Sequence, residues 1–309
     1  MSTIQLFRCN GNQTVELAAY HAKRERQLQN LVEGQMETLL GVRFLASEYA
    51  TGKTHRGRID SLGLDENGCP VIIEYKRASK ENVINQGLFY LDWLLDHKAE
   101  FNWLVMEKLG KQAVQDIEWK GTRLLCIASD FTRYDEHAVQ QIPRNIELIR
   151  YRFFDLDLLL LERVNTVSEK ALDVAPTDAA DEPATPATAK AAKDKTHEEQ
   201  LAQNSPEIRE LYAALTTFIL SLGEDVQERQ LKLYTAFRRI KNFACVVALP
   251  KRLLVMLKLD PKQVALEDNF SRDVSEIGHW GTGDLELTLR AAEDLEKAKP
   301  LIERCYLES

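Results

Sequence analysis

The stretch Asp173-Val-Ala-Pro-Thr-Asp-Ala-Ala-Asp-Glu-Pro-Ala-Thr-Pro-Ala-Thr-Ala-Lys190 sets the first limit on the fold. It is rich in Ala, Pro and Thr and has almost no large apolar side chain. It has nothing to bury, so it cannot offset the entropy of ordering a chain. Residues from about Ser168 to Asn204 are therefore expected to form a flexible linker. The linker divides the 309 residues into an N-terminal domain, residues 1–167, and a smaller C-terminal domain, residues 205–309. Two domains also suit the length. An apolar content of 44% is enough for ordinary cores.

In the first domain the informative stretch runs from Arg56 to Tyr90. Arg58 to Leu64 reads as a strand. Asp65-Glu66-Asn67-Gly68 reads as a hairpin turn, because Asn-Gly tolerates positive φ. Pro70 opens the apolar run Val71–Ile73, a buried strand that continues through Glu74, Tyr75 and Lys76. Alternate residues of a strand share a face, so Glu74 and Lys76 point one way and Tyr75 the other. A tight hairpin brings Asp60 beside them. Two carboxylates and one ammonium then meet at a sheet edge. Carboxylates are hard oxygen ligands, and Mg²⁺ is usually held by one or two of them plus water and substrate phosphate. The set suits a divalent cation, Mg²⁺ or Mn²⁺. Lys76 is placed to orient an attacking water or to neutralise developing charge. The blander reading is a surface ion pair, since Glu-x-Lys is a common tripeptide. Three apolar residues before Glu74, and an Asp across the hairpin, weigh against it.

Asp60 followed by Glu74-Tyr75-Lys76 resembles the PD-(D/E)xK nuclease superfamily. Gly57-Arg58-Ile59-Asp60 with Ile73-Glu74-Tyr75-Lys76 is closest to the nuclease domain of NucS-type endonucleases. Gln86 and Tyr90, four apart on an expected helix and so on one face, resemble the Gln-xxx-Tyr element of RecB-like members. The likeness covers about residues 20–160. The Pro that leads the superfamily signature is missing, since Ile59 precedes Asp60. The resemblance implies an α/β fold with a restriction-endonuclease-like core, a mixed sheet flanked by helices. It also implies metal-dependent hydrolysis of phosphodiester bonds, with DNA the favoured substrate and an endonuclease the favoured type. Asp60 and Glu74 would hold the metal, with the backbone carbonyl of Tyr75 as a third ligand. Lys76 would serve the attacking water, and Gln86 and Tyr90 would position backbone or Lys76. Members often add a glutamate from the helix before the sheet; Glu33 is the choice here and Glu37 the reserve. Many such nucleases pair up to cut both strands, so a homodimer falls within the expectation. The alternative is a nuclease fold that binds nucleic acid, or a protein partner, without cutting.

A net charge of −8 argues against a broad nucleic-acid-coating surface. Between Thr51 and Lys80, however, six Lys/Arg stand against four acids, two of them the proposed ligands. Arg56, Arg58, Arg77 and Lys80 are the candidate nucleic-acid contacts in this locally basic stretch. Ordinary solvated charge is the equal rival. The five cysteines are dispersed with no Cys-x-x-Cys pair, which argues against zinc and suits a reducing cytoplasm. The first ten residues lack a signal-peptide core, and no apolar run reaches about 18 residues, so no membrane span is expected.

The apolar spacing predicts one helix over Thr14–Leu40 and another over Glu81–Asp96, with strands at Ile4–Arg8, Val42–Tyr49, Leu124–Ala128 and Ile146–Phe154. Trp93 and Trp103 are read as core. In the second domain, Ser205-Pro206 marks a helix start. Ala244–Leu249 and Leu253–Leu259 read as strands, and Ala291–Tyr306 as a closing helix. This α+β half resembles a domain of unknown function found at the end of bacterial proteins labelled predicted transport proteins. Tyr234, Phe237, Arg238, Arg239, Lys241 and Phe243 interleave aromatics with bases, as single-strand binders do, but core aromatics beside exposed bases give the same pattern and are preferred.

Overall fold

The computed structural model describes residues 4–52, 56–77, 83–155, 157–165 and 196–309. The chain forms two compact units, residues 1–176 and 177–309. Most of the expected linker lies outside the described residues.

The first unit opens with a hairpin of β1 (Leu6–Asn10) and β2 (Gln13–Leu17). A helix over Thr14–Leu40 is thus not what forms. Thr14 and Val15 are β-branched, and Gly11 at φ 59° turns Gln13 back onto Asn10. The short β3 (Ala19–Tyr20) follows, and only then α1 (Glu25–Gly34) and α2 (Met36–Leu40), which ends on Gly41 in the left-handed region. Next come β4 (Val42–Ala50), β5 (Arg58–Asp65), β6 (Pro70–Lys76), α3 (Val83–Asp96), α4 (Lys98–Leu109), α5 (Lys111–Gln115), β7 (Arg123–Ala128), α6 (Arg133–Gln141), β8 (Asn145–Phe154) and β9 (Leu158–Arg163).

These strands make one mixed sheet in the order β3-β8-β7-β6-β5-β4, with β9 added on β8. The turn-linked strands β4, β5 and β6 are antiparallel. The strands β6, β7 and β8 run parallel, joined by crossovers through α3–α5 and through α6, as parallel pairing requires. Strand β6 reads as an almost unbroken apolar run because it is covered on both faces. Val71, Ile72, Ile73 and Tyr75 are all fully buried. On one face, Val83, Leu91 and Leu94 of α3 and Phe101 of α4 pack on Leu62, Ile72, Leu124 and Leu148 of the sheet. Trp93 belongs to this core, as expected. Trp103 does not: it is 73% exposed, because α4 turns Phe101, Leu104 and Val105 inward and leaves position 103 outside their stripe.

The second unit contains α7 (His197–Gln203), α8 (Pro206–Ser221), β10 (Gln227–Gln230), β11 (Thr235–Arg238), β12 (Asn242–Leu249), β13 (Arg252–Leu257), β14 (Ser271–Asp273), β15 (Leu285–Leu289) and α9 (Ala292–Glu308). Its six strands form an antiparallel sheet in the order β10-β11-β12-β13-β15-β14. Helices α8 and α9 pack on one face through Leu211, Leu215, Ile219, Leu295 and Ile302. Ser205 caps α8 by accepting from the Ile208 N–H. The linker was expected to run to Asn204, yet α7 occupies residues 197–203. A capping box between Thr196 and Glu199 starts that helix, and Leu201 packs on the core. Phe237 and Phe243 are fully buried in that core, so the aromatic-basic run of β11 and β12 offers those rings to no base. Among the described residues no helix is long and apolar enough to cross a membrane.

Candidate metal centre

The β5–β6 hairpin builds the site. Asp65 Oδ1 accepts from the backbone N–H groups of Asn67 (2.9 Å) and Cys69 (2.8 Å), and Gly68 takes φ 75°. The turn fixes the register Leu64↔Pro70, Gly63↔Val71, Leu62↔Ile72 and Ser61↔Ile73. The next rung would pair Asp60 with Glu74, and there the backbone ladder gives way to side chains. The Tyr75 N–H donates to Asp60 Oδ2 (3.0 Å), and the Asp60 N–H donates to Glu74 Oε1 (3.2 Å). The Asp60 carbonyl accepts from Gln29 Nε2 of α1 (2.9 Å). The strands thus part with the two carboxylates inserted between them.

Glu74 is fully buried, and its Oε2 has no hydrogen-bond partner. Burial pushes the Glu74 carboxyl up to about 9, and the neighbouring Asp60 charge adds to the rise. Burial also lifts Asp60, to about 6, against the Tyr75 N–H and the Lys76 ammonium, which both pull it down. Two carboxylates this close, one of them fully buried, cost free energy unless a proton or another cation joins them. The donor set therefore fits a hard divalent ion. Among the described residues no group of three or more His, Cys, Asp or Glu side chains is arranged to hold a metal. Mg²⁺ nonetheless usually takes only one or two carboxylates from the protein, with water and substrate phosphate completing its shell.

Lys76 lies on the face of Glu74, as alternation requires, with its side chain 12% exposed. Its ammonium donates to Glu25 Oε1 (3.3 Å) at the start of α1. Burial lowers the Lys76 pKa, but Glu25 and Asp60 outweigh it, so the group is held above the usual lysine value and stays charged. Tyr90 faces the start of β5, where its Oη accepts from the Arg58 N–H (3.2 Å). Its ring occupies the space a Cβ on Gly57 would need, at 2.5 Å. Gln86 is half-buried one turn earlier on α3.

Glu33 does not join the pair. Its carboxylate accepts from Ser61 Oγ (2.7 Å) and Gln29 Nε2 (3.0 Å), and Ser61 Oγ is also hydrogen-bonded to the Tyr75 hydroxyl. Ser61 and Tyr75 occupy the strand face opposite to Asp60 and Glu74. Glu37 is exposed on α2. The α1 acid whose charge acts on Asp60, Glu74 and Lys76 is Glu25. Glu25, Gln29 and Glu33 recur every four residues along one face of α1. The helical spacing finds that stripe, but the residue nearest Asp60 and Lys76 depends on where the helix begins. Of the basic candidates, Arg58 pairs with Glu48 (3.4 Å), Arg56 is exposed at φ 50°, and Arg77 is exposed and donates to the Lys23 carbonyl (3.3 Å). Lys80 lies outside the described residues.

Residues 197–309 match a family described as Domain of unknown function (DUF5655). An uncharacterized protein of Haemophilus influenzae is 29% identical over 307 residues, covering 97% of this chain and 99% of that protein. Two solved structures align in part. One is a repair endonuclease from Pyrococcus abyssi, with TM-score 0.28, 18% identity and 42% of this chain. The other is a complex of EndoMS with double-stranded DNA, with TM-score 0.26, 18% identity and 46% of this chain. The chain spans about half the length of either, 49%.

Proposed function

We propose that the first unit is a divalent-metal-dependent nuclease that hydrolyses phosphodiester bonds, of DNA in the first place, by internal cleavage. One observation carries the reading. The carboxylates of Asp60 and Glu74 lie side by side between parting strands, Glu74 fully and Asp60 partly buried, Glu74 Oε2 is unpartnered, and the Lys76 ammonium stands on the same face.

Asp60 and Glu74 would hold Mg²⁺ or Mn²⁺, with the Tyr75 carbonyl as a third donor. The bound ion would supply Lewis-acid polarisation of a phosphoryl oxygen and a nucleophile at neutral pH. The protein's own part is positioning and charge. Lys76, kept protonated by Glu25 and Asp60, serves as a fixed cation for charge growing on the phosphate rather than as a proton acceptor. Tyr90 holds the Gly57–Arg58 backbone, so it fixes the strand from which Asp60 projects. The Gln29 amide takes the Asp60 carbonyl and keeps β5 from closing onto β6 at that rung.

Incubation of the full chain with single- and double-stranded DNA and RNA, with Mg²⁺, Mn²⁺ or EDTA, tests the proposal. Cleavage that requires the ion and disappears in Asp60→Ala supports it. Metal-independent binding without cleavage of any of the four substrates refutes it and leaves a binding module.

A further inference from the structure

The segment Tyr20–Arg26 lies outside the stretch from which the basic contacts were predicted, yet the fold lays it along the metal centre. At one end Tyr20 pairs with Phe153 of β8. In the middle the Lys23 carbonyl accepts from Arg77, the residue after Lys76 of β6. At the other end Glu25 accepts from the Lys76 ammonium. Strand β7 lies between β6 and β8. The segment therefore crosses the carboxyl ends of three parallel strands, the position where open α/β sheets take their ligands.

Its chemistry is one-sided. Lys23 and Arg24 are exposed, as is Arg77 beside them. The acid within the segment, Glu25, is engaged by Lys76. On a chain of net charge −8, this edge is a local positive strip next to two carboxylates that need a cation. The Tyr20 ring is stacked on Phe153, with centroids 5.4 Å apart and planes 22° apart, and is still 45% exposed. A ring fixed on one side and open to solvent is a stacking platform, and bases stack on such rings whatever their sequence. His21, also exposed, sits edge-on to Tyr151 at 6.0 Å and continues the aromatic edge. A base inside a duplex is already stacked on both sides, so the platform favours an unpaired one.

We propose that Tyr20–Arg24 with Arg77 is a track for a single nucleic-acid strand. Lys23, Arg24 and Arg77 take backbone phosphates, and Tyr20 on its Phe153 support takes an unpaired base. From Tyr20 to Glu25 an extended chain spans at most about 17 Å, so the platform lies within a few nucleotides of the metal centre. This inference rests on the nuclease reading and names its substrate class: a strand that is single or splayed beside the cut.

The test is fluorescence anisotropy of the full-length protein in EDTA with a labelled oligothymidylate, and with the same strand annealed to oligoadenylate, across a range of NaCl. In Lys23→Ala/Arg24→Ala the slope of log affinity against log salt should fall by about 1.4, near 0.7 per lost contact. In Tyr20→Leu that slope should stay, while single-strand affinity drops about tenfold. Lys108→Ala, on the remote α4, should change neither. Far-ultraviolet circular dichroism and urea melts check that each variant is folded. Unchanged slope and affinity in both track variants overturn the proposal, as does a Tyr20→Leu protein that binds single strands normally. If those results come with Asp60-dependent cleavage by the wild type, the track fails and the metal centre stands. A wild type that neither binds nor cuts overturns both.

Discussion

Glu74→Gln should stabilise the metal-free protein, although it removes a proposed ligand. In the folded chain Glu74 is fully buried, its Oε2 is unpartnered, and its pKa is raised from 4.5 to about 9. A group whose folded pKa is raised contributes stability below its unfolded value and loses it as pH rises towards the folded value. Between pH 5 and 8 the folded wild type thus holds about one more proton than the unfolded chain. Its stability should fall by about 1.4 kcal/mol per pH unit through this group alone. The amide carries no such proton, so the advantage of Glu74→Gln over wild type should grow by about 3 kcal/mol between pH 6 and 8. The difference between the two proteins is the quantity to follow, because other titrating groups, Asp60 among them, cancel in part. Urea unfolding in EDTA, followed by tryptophan fluorescence at several pH values, reads it. Divalent ion should close much of that gap. At a hundred times its dissociation constant, an ion bound to the folded state alone adds about 2.7 kcal/mol to the wild type, and the Gln variant should gain little. Parallel pH profiles for the two proteins, with no metal-linked difference, would show that Glu74 holds no extra proton in the folded chain and would sink the metal-centre reasoning.

Lys76→Met keeps the apolar stem and should lower turnover by about two to three orders of magnitude while divalent-ion affinity, read by calorimetry, holds or rises; an equal loss in Arg77→Met would mean that local charge matters and the strand face does not. Tyr90→Phe removes the acceptor of the Arg58 N–H and should cost about 1 kcal/mol in a urea melt, with faster hydrogen exchange confined to the start of β5. Arg123→Met leaves Asp65 and Glu147 buried without their guanidinium and should cost about 3–5 kcal/mol; the triple change with Asp65→Asn and Glu147→Gln should recover most of that loss, and no recovery would mean that packing rather than charge sets the cost.

The hairpin was legible because every signal in it is local. Asn67-Gly68 sets the turn, Pro70 sets where β6 can start, and alternation then assigns Asp60, Glu74 and Lys76 without reference to the rest of the chain. Tyr90 was legible for the same reason, as a position one turn from Gln86, though its target, the Arg58 amide, was not. Glu25 was hidden because its place depends on where α1 begins, and the hairpin β1–β2 takes residues that share the helical spacing. Trp103 shows the limit of composition: a tryptophan is usually buried, but the Phe101/Leu104/Val105 stripe of α4 had already claimed the inward face. Segment Tyr20–Arg26 reads as an ordinary charged approach to a helix, and only the pairing of β3 with β8 carries it to the ends of β6 and β8.

One sheet holds Asp65 with Glu147, both buried, and Asp60 with Glu74, of which Glu74 is buried and Asp60 half-buried, and the two pairs are treated differently. Asp65 and Glu147 meet on Arg123, which donates to Glu147 at 2.8 and 3.2 Å and to Asp65 at 3.1 Å, all three groups being at most 3% exposed. The two carboxylates hold that guanidinium above its usual pKa despite burial. Asp60 stands five residues from Asp65 along β5, about 17 Å at 3.3 Å per residue, and Glu74 lies on β6 three residues beyond Val71, the partner of Arg123. There the residue opposite Glu74 on β7 is Cys126, whose thiol is pushed up by burial and by the Glu74 charge and so stays neutral. The cation in range is Lys76, and its ammonium is hydrogen-bonded to a third acid, Glu25. At one end of the sheet a guanidinium lies between two buried acids, and at the other one Glu74 oxygen is left unpartnered. That asymmetry is why a divalent cation, rather than another side chain, is proposed to complete the Asp60–Glu74 centre. It also predicts that chelation should leave the Arg123 cluster undisturbed while loosening β5 and β6 around Asp60. Hydrogen exchange with and without Mg²⁺ should show protection gained at Asp60 and Tyr75 and none at Arg123, and equal gains at both ends would contradict the division.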